Sequence, residues 1–235
     1  MAQQTPARAA KTDGRKRRWH QHKVDRRNEL VDGTLDAIRR CGSNVSMDEI
    51  AAEIGVSKTV LYRYFVDKND LTTAVMMRFA QTTLIPNMAS ALKAHLDGFA
   101  LTREIIRVYV DTVAAEPEIY PFVMANSSAS KSKAVADSEQ IIARMLAVML
   151  RRRMAESGMD TSGAGPWAFH TVGGVQLATH SWMSNPRMSS EQLIDYLTML
   201  SWNALCGIVE VGGSLEKFRQ APHPSPIVPP RLVER

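Results

Sequence analysis

The stretch "SMDEIAAEIGVSKTVLYRYF", residues 46–65, decides the fold that this sequence predicts. Ser46 lies three residues before Glu49, a spacing typical of a capping box, in which each side chain bonds the other residue's backbone N–H. Gly55 should end the short helix that begins there, and Ser57 should cap the N-terminus of the next helix. The stretch therefore predicts two short helices joined by a tight glycine-containing turn, which is a helix-turn-helix unit.

The second of these helices has two chemically different faces. At 100° per residue, one face carries apolar side chains that can pack against the preceding helices, namely Val60, Leu61 and Phe65. The opposite face carries an ammonium, a hydroxyl, a phenol and a guanidinium group, on Lys58, Thr59, Tyr62 and Arg63. An arginine can form paired hydrogen bonds with guanine, and hydroxyl and phenol groups bind phosphates readily. We interpret this polar face as a DNA-binding surface rather than as the solvated side of an ordinary surface helix.

The positive charge of the chain lies in the same region. Residues 1–80 contain 15 Lys and Arg against 10 Asp and Glu, whereas residues 81–235 contain 14 of each, so the first third holds the whole net charge of +5. This asymmetry predicts an N-terminal module that faces a polyanion. Residues 1–22 include the run Arg15–Arg18, and we expect a flexible basic arm there. The arm is either a solvated tail or an additional contact with DNA phosphates or the minor groove.

The remaining sequence predicts helices only. Asp67, with Asp70 three residues later, should begin a long helix that ends at Pro86. Further helical patterns cover approximately residues 87–97, 101–115, 118–127, 132–157, 165–184 and 189–211. We therefore predict an all-α chain with a helix-turn-helix domain at 23–66, a helical effector-binding and dimerisation domain at 67–215, and a Pro-rich tail at 216–235.

The segment from Gly42 to Leu71 closely resembles the DNA-binding signature of the tetracycline-repressor (TetR) family of bacterial transcriptional regulators. Ile38 and Ser43 depart from that pattern, because the family usually has aromatic residues at these two places in the packing of its small domain. The resemblance implies that the third helix enters the major groove of double-stranded DNA. The residues it places at DNA are Ser57, Lys58, Thr59, Tyr62 and Arg63, with Tyr64 near the backbone and Lys68 beside a phosphate.

Two stretches, residues 161–186 and 196–209, contain no Asp, Glu, Lys or Arg. Since a surface helix normally keeps a charged face, we expect both to be covered on nearly all sides, either in a monomer core or against a second subunit. The first is a poor membrane span because it contains several glycines and polar side chains. In the TetR family the last two long helices form a four-helix dimer interface, so the resemblance implies a homodimer. Its expected contacts are Gly173, Gly174, Trp182, Leu200 and Trp202.

The middle of the chain is rich in methionine and aromatic residues. Methionine-rich linings adapt to apolar ligands of irregular shape, although for each residue taken alone core packing is the favoured interpretation. The family resemblance implies a pocket for a hydrophobic effector, such as an acyl chain, an acyl-CoA, a sterol-like compound or an aromatic compound. The candidate effector-binding residues are Phe79, Tyr109, Phe122, Met145, Met149, Phe169 and His170.

The predicted function is that of a homodimeric repressor, released from a near-palindromic operator when the effector binds. Half-sites would lie one DNA turn apart, roughly 34–36 Å, and the helix from Asp67 to about Ile85 would carry the conformational change. The alternative is a helix-turn-helix regulator without a small-molecule effector, controlled by a protein partner or by its abundance.

No enzyme motif, metal site or cofactor site is predicted. The sequence lacks the G-x-S-x-G, H-E-x-x-H, P-loop and G-x-G-x-x-G patterns. Cys41 and Cys206 are far apart in the sequence, and His170 and His180 are separated by roughly 15 Å along one helix. Arg151–Arg153 is interpreted as a solvated helix end. With neither a signal-peptide pattern nor a metal or redox cysteine spacing, we expect a reduced, cytoplasmic protein.

Overall fold

The computed structural model describes the backbone of residues 7–93, 96–126 and 133–223 and the side chains of residues 18–91, 96–123 and 140–223. Over these residues the chain is helical and contains no strand, which confirms the predicted all-α class. A five-residue π-helical segment, Ala80–Leu84, joins α4 to α5. The helices are α1 (Ala7–Cys41), α2 (Met47–Glu53), α3 (Lys58–Tyr64), α4 (Lys68–Phe79), α5 (Ile85–Lys93), α6 (Gly98–Ala114), α7 (Ile119–Asn126), α8 (Lys133–Glu156), α9 (Ala164–Ser184), α10 (Ser190–Glu210) and α11 (Leu215–Gln220).

Helix α1 begins earlier than expected. A flexible arm was predicted over residues 1–22, but α1 is continuous from Ala7; residues 1–6 of the predicted arm lie outside the described residues. The segment is rich in Ala, Arg, Lys and Gln, which favour helix through intrinsic propensity. Residues 18–25 are all exposed, so this part of α1 extends beyond the packed core.

Pro86 does not end the long helix after Asp67. The Asp67 side chain caps α4 by accepting from Asp70 N–H, as predicted, but the helical path continues through the π-helical segment into α5. There the N–H of Ile85 donates to the carbonyl of Ala80, five residues earlier. The wider π turn accommodates Pro86, which has no N–H and whose ring clashes with a carbonyl of the preceding turn in a regular α-helix.

The core around the helix-turn-helix unit includes a helix from the middle of the chain. Ile119, Phe122 and Val123 of α7 are almost completely buried there. Their neighbours in this cluster come from α1, α2, α3 and α4, and include Ile38, Ile50, Leu61, Phe65, Leu71 and Val75. We call this cluster the N-terminal core; its most distant members, Leu30 and Val123, are 93 residues apart in the sequence.

Two carboxylates fix the start of α7 to the end of α1. Glu116 accepts two hydrogen bonds from the Arg39 guanidinium, at 3.0 and 2.7 Å. Glu118 accepts from the backbone N–H of Ser43 at 2.7 Å. These bonds couple the α6–α7 turn to the α1–α2 turn, so α7 and the helix-turn-helix unit form one packed body.

Helices α5, α9 and α10 pack against α6, and α8 packs against α9 and α4. Buried Ile106 and Val110 of α6 contact Ile194 of α10 and Val175 of α9. On the surface, Arg103 and Arg107 of α6 pair with Glu191 at the start of α10. Residues 215–220 form the short helix α11 with Ser214 as its cap, so the expected tail from residue 216 begins as helix.

Candidate DNA-binding surface and effector cavity

The helix-turn-helix unit is built from local hydrogen bonds. The Ser46 hydroxyl accepts from Glu49 N–H at 3.3 Å, and the Glu49 carboxylate accepts from Ser46 N–H at 2.8 Å, which confirms the capping box. The hydrogen bond with Ser46 lowers the pKa of Glu49. Gly55 has φ +69°, a left-handed conformation that favours glycine, and Ser57 caps α3 by accepting from Val60 N–H. The turn between α2 and α3 is therefore specified by the sequence within it.

The inner face of α3 holds the helix in place. Leu61 and Phe65 are buried in the N-terminal core, and Val60 is half-buried. The Arg27 guanidinium of α1 lies 4.6 Å from the centre of the Phe65 ring and donates to Asp70 of α4 at 2.7 Å. A seven-residue helix is unstable alone in water, so this burial stabilises it.

The outer face of α3 presents the predicted polar groups to solvent. Thr59, Tyr62 and Arg63 are exposed, and Tyr62 keeps 46% of its surface accessible. Lys58 is exposed and forms a 2.7 Å ion pair with Asp48 of α2, which raises the pKa of the lysine. A phosphate at this face would compete with Asp48 for the ammonium group.

Tyr64 and Lys68 occupy more enclosed places than the outer face. Tyr64 is partly buried against the N-terminal core, with the Arg63 guanidinium 5.3 Å from its ring centre. The ammonium of Lys68 donates to the Val45 carbonyl at 2.9 Å and lies 5.3 Å from the centre of the Phe122 ring. Burial lowers the pKa of Lys68. Lys68 therefore links α4 to α7 and to the α1–α2 turn, a role that its predicted position beside a phosphate did not anticipate.

A cavity of about 710 Å³ lies between α6, α8, α9 and α10. Its walls are mainly apolar, and its charged lining residues are Arg153 of α8 and Glu210 of α10. A narrow inner crevice of about 50 Å³ adjoins it and shares Ile105, Ile106, Leu146 and Thr171 as walls. A cavity of this size and character suits an apolar small molecule.

The structure places three of the seven candidate effector residues at these spaces. Tyr109 lines the inner crevice, Met149 lines the cavity, and Met145 lines the crevice. Phe79 and Phe122 instead lie in the N-terminal core; Phe79 ends α4, and Phe122 reaches the core because α7 packs against α1 and α4. Phe169 and His170 are exposed on α9 and line neither the cavity nor the inner crevice.

Several cavity residues have no distinctive sequence signal. Trp167, Trp202 and Arg153 line the cavity, but they come from three helices that are far apart in the sequence. Trp202 packs edge-on against Phe99, with ring centres 5.5 Å apart. The charged run that contains Arg153 suggested only a solvated helix end, and no local pattern distinguishes a cavity wall from a core.

A polar cluster lies behind the inner crevice. His180 of α9 is hydrogen-bonded through Nε2 to the Tyr109 hydroxyl of α6 at 3.3 Å and through Nδ1 to the Tyr120 hydroxyl of α7. The rings of Tyr120 and His180 are stacked with centres 3.6 Å apart. Burial lowers the pKa of His180 to about 4, so the imidazole is neutral at pH 7. This cluster was not predicted from the sequence.

Among the described residues, α9 and the uncharged part of α10, residues 196–209, leave one face uncovered. On α10, Leu200 is 68% exposed and Tyr196 and Met199 are also exposed; on α9, Leu177 is 72% exposed. Gly173 and Gly174 lie on the same exposed stripe of α9, and a Cβ on either would meet nothing within 4 Å. We call these exposed stripes the α9–α10 face. An apolar face of this kind marks an interaction surface.

The two tryptophans expected at a dimer interface lie mainly within the chain's own packing. The indole N–H of Trp182 donates to the Met188 carbonyl at 2.8 Å, and its ring packs against the α6–α9–α10 cluster. Trp202 lines the cavity. Leu200 and the glycine pair are thus the predicted interface residues that the chain itself leaves open.

In the described part of the chain, no helix is long and apolar enough to span a membrane. Within the same residues, no group of three or more His, Cys, Asp or Glu side chains is arranged to hold a metal ion. Cys41 and Cys206 are both free and exposed.

Comparison with known proteins agrees with this geometry. A family model described as "Bacterial regulatory proteins, tetR family" matches residues 31–75. A Mycobacterium tuberculosis H37Rv protein named "Uncharacterized HTH-type transcriptional regulator Rv0472c" is 82% identical over 229 residues, covering 97% of this chain and 98% of the relative. The transcriptional activator FasR of Mycolicibacterium smegmatis is 24% identical over 186 residues, covering 77% of this chain and 83% of FasR.

Solved structures share the fold. A TetR-family regulator from Syntrophomonas wolfei superposes with a TM-score of 0.62 at 18% identity, covering 82% of this chain and 97% of that chain. The capped helix, the turn and the exposed polar helix, together with these relatives, define a helix-turn-helix transcriptional regulator. More narrowly, the chain belongs to the TetR family, which is a family of DNA-binding regulators and not of enzymes.

Proposed function

We propose that this regulator is a homodimeric repressor, acting in the cytoplasm, that leaves its operator when a hydrophobic small molecule binds. The observation that carries the proposal is the division of α3 into a buried face and an exposed polar face. The cavity between α6, α8, α9 and α10 supports the effector, and the α9–α10 face supports the dimer.

DNA recognition is assigned to the outer face of α3. Arg63 would form paired hydrogen bonds with guanine, while Thr59 and Tyr62 would bind phosphates or base edges. Lys58 would exchange its ion pair with Asp48 for a DNA phosphate, and Ser57 and Tyr64 would lie at the margin of the contact. Because Leu61 and Phe65 anchor α3, these side chains are held on a rigid base.

Dimerisation is assigned to the α9–α10 face. A symmetric dimer would bury Leu177 and Leu200 against their counterparts, and Gly173 and Gly174 would allow the helices to approach closely. Two copies of α3 would then address two half-sites roughly 34–36 Å apart.

The effector is assigned to the cavity, with Tyr109, Met145 and Met149 among its contacts. The apolar walls favour the hydrophobic classes expected from the sequence. Helix α4 would transmit the change, since it begins beside α3 and its Arg78 holds Asp32 of α1 through two hydrogen bonds of 2.6 Å. A coupling free energy of about 1–3 kcal/mol would weaken operator binding roughly 5- to 150-fold.

The proposal is tested with the purified full-length chain. Sheared genomic DNA is selected on immobilised protein, the enriched site is measured by fluorescence anisotropy, and native mass spectrometry identifies any compound that the protein retains. We expect a near-palindromic site and a retained apolar compound that weakens binding to it. Binding without sequence preference would contradict the proposal. A reporter gene in cells measures the sign of regulation, since the relative FasR is named an activator.

The alternative is a regulator of the same type without a small-molecule effector. It is favoured if the protein retains no compound and if substitutions that fill the cavity leave operator affinity unchanged. In that case the cavity is only a packing defect, and a protein partner or the abundance of the regulator controls DNA binding.

A further inference from the structure

The Tyr109–His180–Tyr120 cluster joins two regions that the proposed function has not yet connected. On one side, Tyr109 is a wall of the inner crevice, which adjoins the effector cavity through Ile105 and Leu146. On the other side, Tyr120 belongs to α7, the helix that contributes Phe122 to the N-terminal core. His180 contacts both tyrosines and is the residue between them.

The two nitrogens of a neutral imidazole have different hydrogen-bonding roles. One ring nitrogen carries a proton and donates, and the other accepts, so the two tyrosine hydroxyls must play opposite roles. A displacement of Tyr109 would alter or break the hydrogen bond at Nε2, which is one of the two bonds that fix the position of the ring. Tyr120 is both bonded to that ring and stacked on it, so its position is coupled to that of the ring.

Helix α7 can pass such a displacement to the DNA-binding surface over a short path. The Phe122 ring contacts the Lys68 ammonium. Lys68 is the first residue of α4 and comes four residues after Tyr64, the last residue of α3. The turn before α7 is bonded to Arg39 and to Ser43 N–H, so it also moves with the α1–α2 turn. Packed cores of this kind shift between discrete arrangements rather than deforming continuously.

We propose that the Tyr109–His180–Tyr120 cluster transmits occupancy of the cavity to the N-terminal core through α7, with His180 as the positioning residue. The inference rests on the proposed function and adds a route that is separate from α4. An effector that enters the inner crevice displaces Tyr109, and α7 then tilts α3 relative to its partner in the dimer.

The test uses a built-in occupant, because the effector is unidentified. Leu146→Trp places an indole in the cavity beside the crevice, and Ala155→Trp puts the same group on the exposed side of α8 as a matched control. Each substitution is combined with His180→Phe, which keeps a ring for Tyr120 to stack on but removes both nitrogens, and with His180→Gln, which keeps a donor and an acceptor. Operator affinity is measured by fluorescence anisotropy for each purified dimer whose circular dichroism and melting are native-like.

We expect Leu146→Trp to weaken operator binding about 5- to 150-fold when His180 is present. With His180→Phe the same substitution should weaken affinity by a clearly smaller factor, because only the α4 route remains, and with His180→Gln part of the lost effect should return. His180→Phe alone, like Ala155→Trp, should leave operator affinity within about twofold of the original protein.

Different failures have different meanings. Equal weakening by Leu146→Trp in the His180 and His180→Phe backgrounds overturns the proposed route but leaves the effector function intact. If His180→Phe alone abolishes operator binding, His180 has only a structural role, and the proposed route is also overturned. If Leu146→Trp does not fold, Ile105→Phe replaces it as the occupant. If a folded occupant variant leaves operator binding unchanged, both the effector function and this inference fail.

Discussion

The helix-turn-helix region, which we call the DNA-binding end, and the helices around the cavity, which we call the cavity end, differ in one respect. The residues that determine the first are close together in the sequence, whereas those that determine the second are far apart. At the DNA-binding end, the caps and the glycine of the turn are contained in residues 46–65. At the cavity end, one wall requires Gly98 and Trp202 to meet, although about a hundred residues separate them. A short local pattern can therefore identify the first region, whereas the second depends on the complete topology.

The largest effect is expected from a substitution in the exposed α9–α10 face, which we propose as the dimer interface. Leu200→Glu would place a carboxylate in the middle of the proposed dimer interface. Because the dimer is symmetric, the interface would contain two such carboxylates, and each unpaired buried charge costs several kcal/mol. We expect a monomer by sedimentation velocity and loss of cooperative operator binding. Leu215→Glu is the control, since Leu215 is 59% exposed on α11 and lies outside the α9–α10 face. A dimer that survives Leu200→Glu would place the interface elsewhere.

The next prediction tests whether α7 belongs to the DNA-binding end. Phe122→Ala removes a fully buried ring from the N-terminal core and should lower the free energy of unfolding by about 3–5 kcal/mol. Operator affinity should fall with it, although Phe122 is far from α3 in the sequence. Phe99→Ala, at a half-exposed ring on α6, should have a much smaller effect in urea unfolding. Equal effects would break the distinction between the two regions.

The sequence predicted the DNA-binding end in more detail than the cavity end for a physical reason. Ser46, Ser57 and Asp67 act within three residues of themselves, so their caps could be inferred and are confirmed. Phe79 and Phe122 were expected at the effector site, but apolar residues of the same type suit a core and a cavity equally well.

The same limit applies to the interruptions of helices. Pro86 predicted the end of the helix because a proline disrupts a regular α-helix locally. The π-helical segment that accommodates it buries Ala80 and Leu84 against other parts of the chain, and this packing cannot be inferred from the local sequence. The Tyr109–His180–Tyr120 cluster joins three helices, and nothing in the spacing of these residues indicates that they meet.

The polar cluster predicts a pH dependence of stability. Burial lowers the pKa of His180 from 6.5 to about 4, so the unfolded chain binds the proton at a higher pH than the folded chain does. Stability from the neutral imidazole is therefore complete above about pH 6.5 and is lost as the pH falls towards 4. Between pH 7.5 and 5.0 the loss is at most about 2 kcal/mol, reduced by the partial exposure of the ring. Urea unfolding at pH 7.5 and 5.0 should show it, and His180→Gln should remove it.

His170 provides the control for this pH dependence, because it lies on the same helix but is exposed. His170→Gln should leave the difference between the two pH values unchanged. A difference that persists in His180→Gln would assign the titration to another group.

Arg63→Ala tests the outer face of α3. Loss of a paired hydrogen bond with guanine should reduce discrimination between the operator and a mutated site by about 1–3 kcal/mol, while dimerisation persists. Arg187→Ala, at an exposed arginine between α9 and α10, should change only the nonspecific binding, if anything. Unchanged operator specificity in Arg63→Ala would remove Arg63 as a base contact.

The smallest effect is expected from removing the capping box of α2 or that of α10, which lie at the DNA-binding end and at the cavity end. Ser46 begins α2 and Ser189 begins α10, each with a complete capping box. Either Ser→Ala substitution should lower stability by about 0.5–2 kcal/mol in urea unfolding. Only Ser46→Ala should also weaken operator binding, because α2 is seven residues long and supports α3, whereas α10 has 21 residues and extensive packing. If Ser189→Ala weakens operator binding as much, then the cavity end and the DNA-binding end are energetically coupled even without an effector.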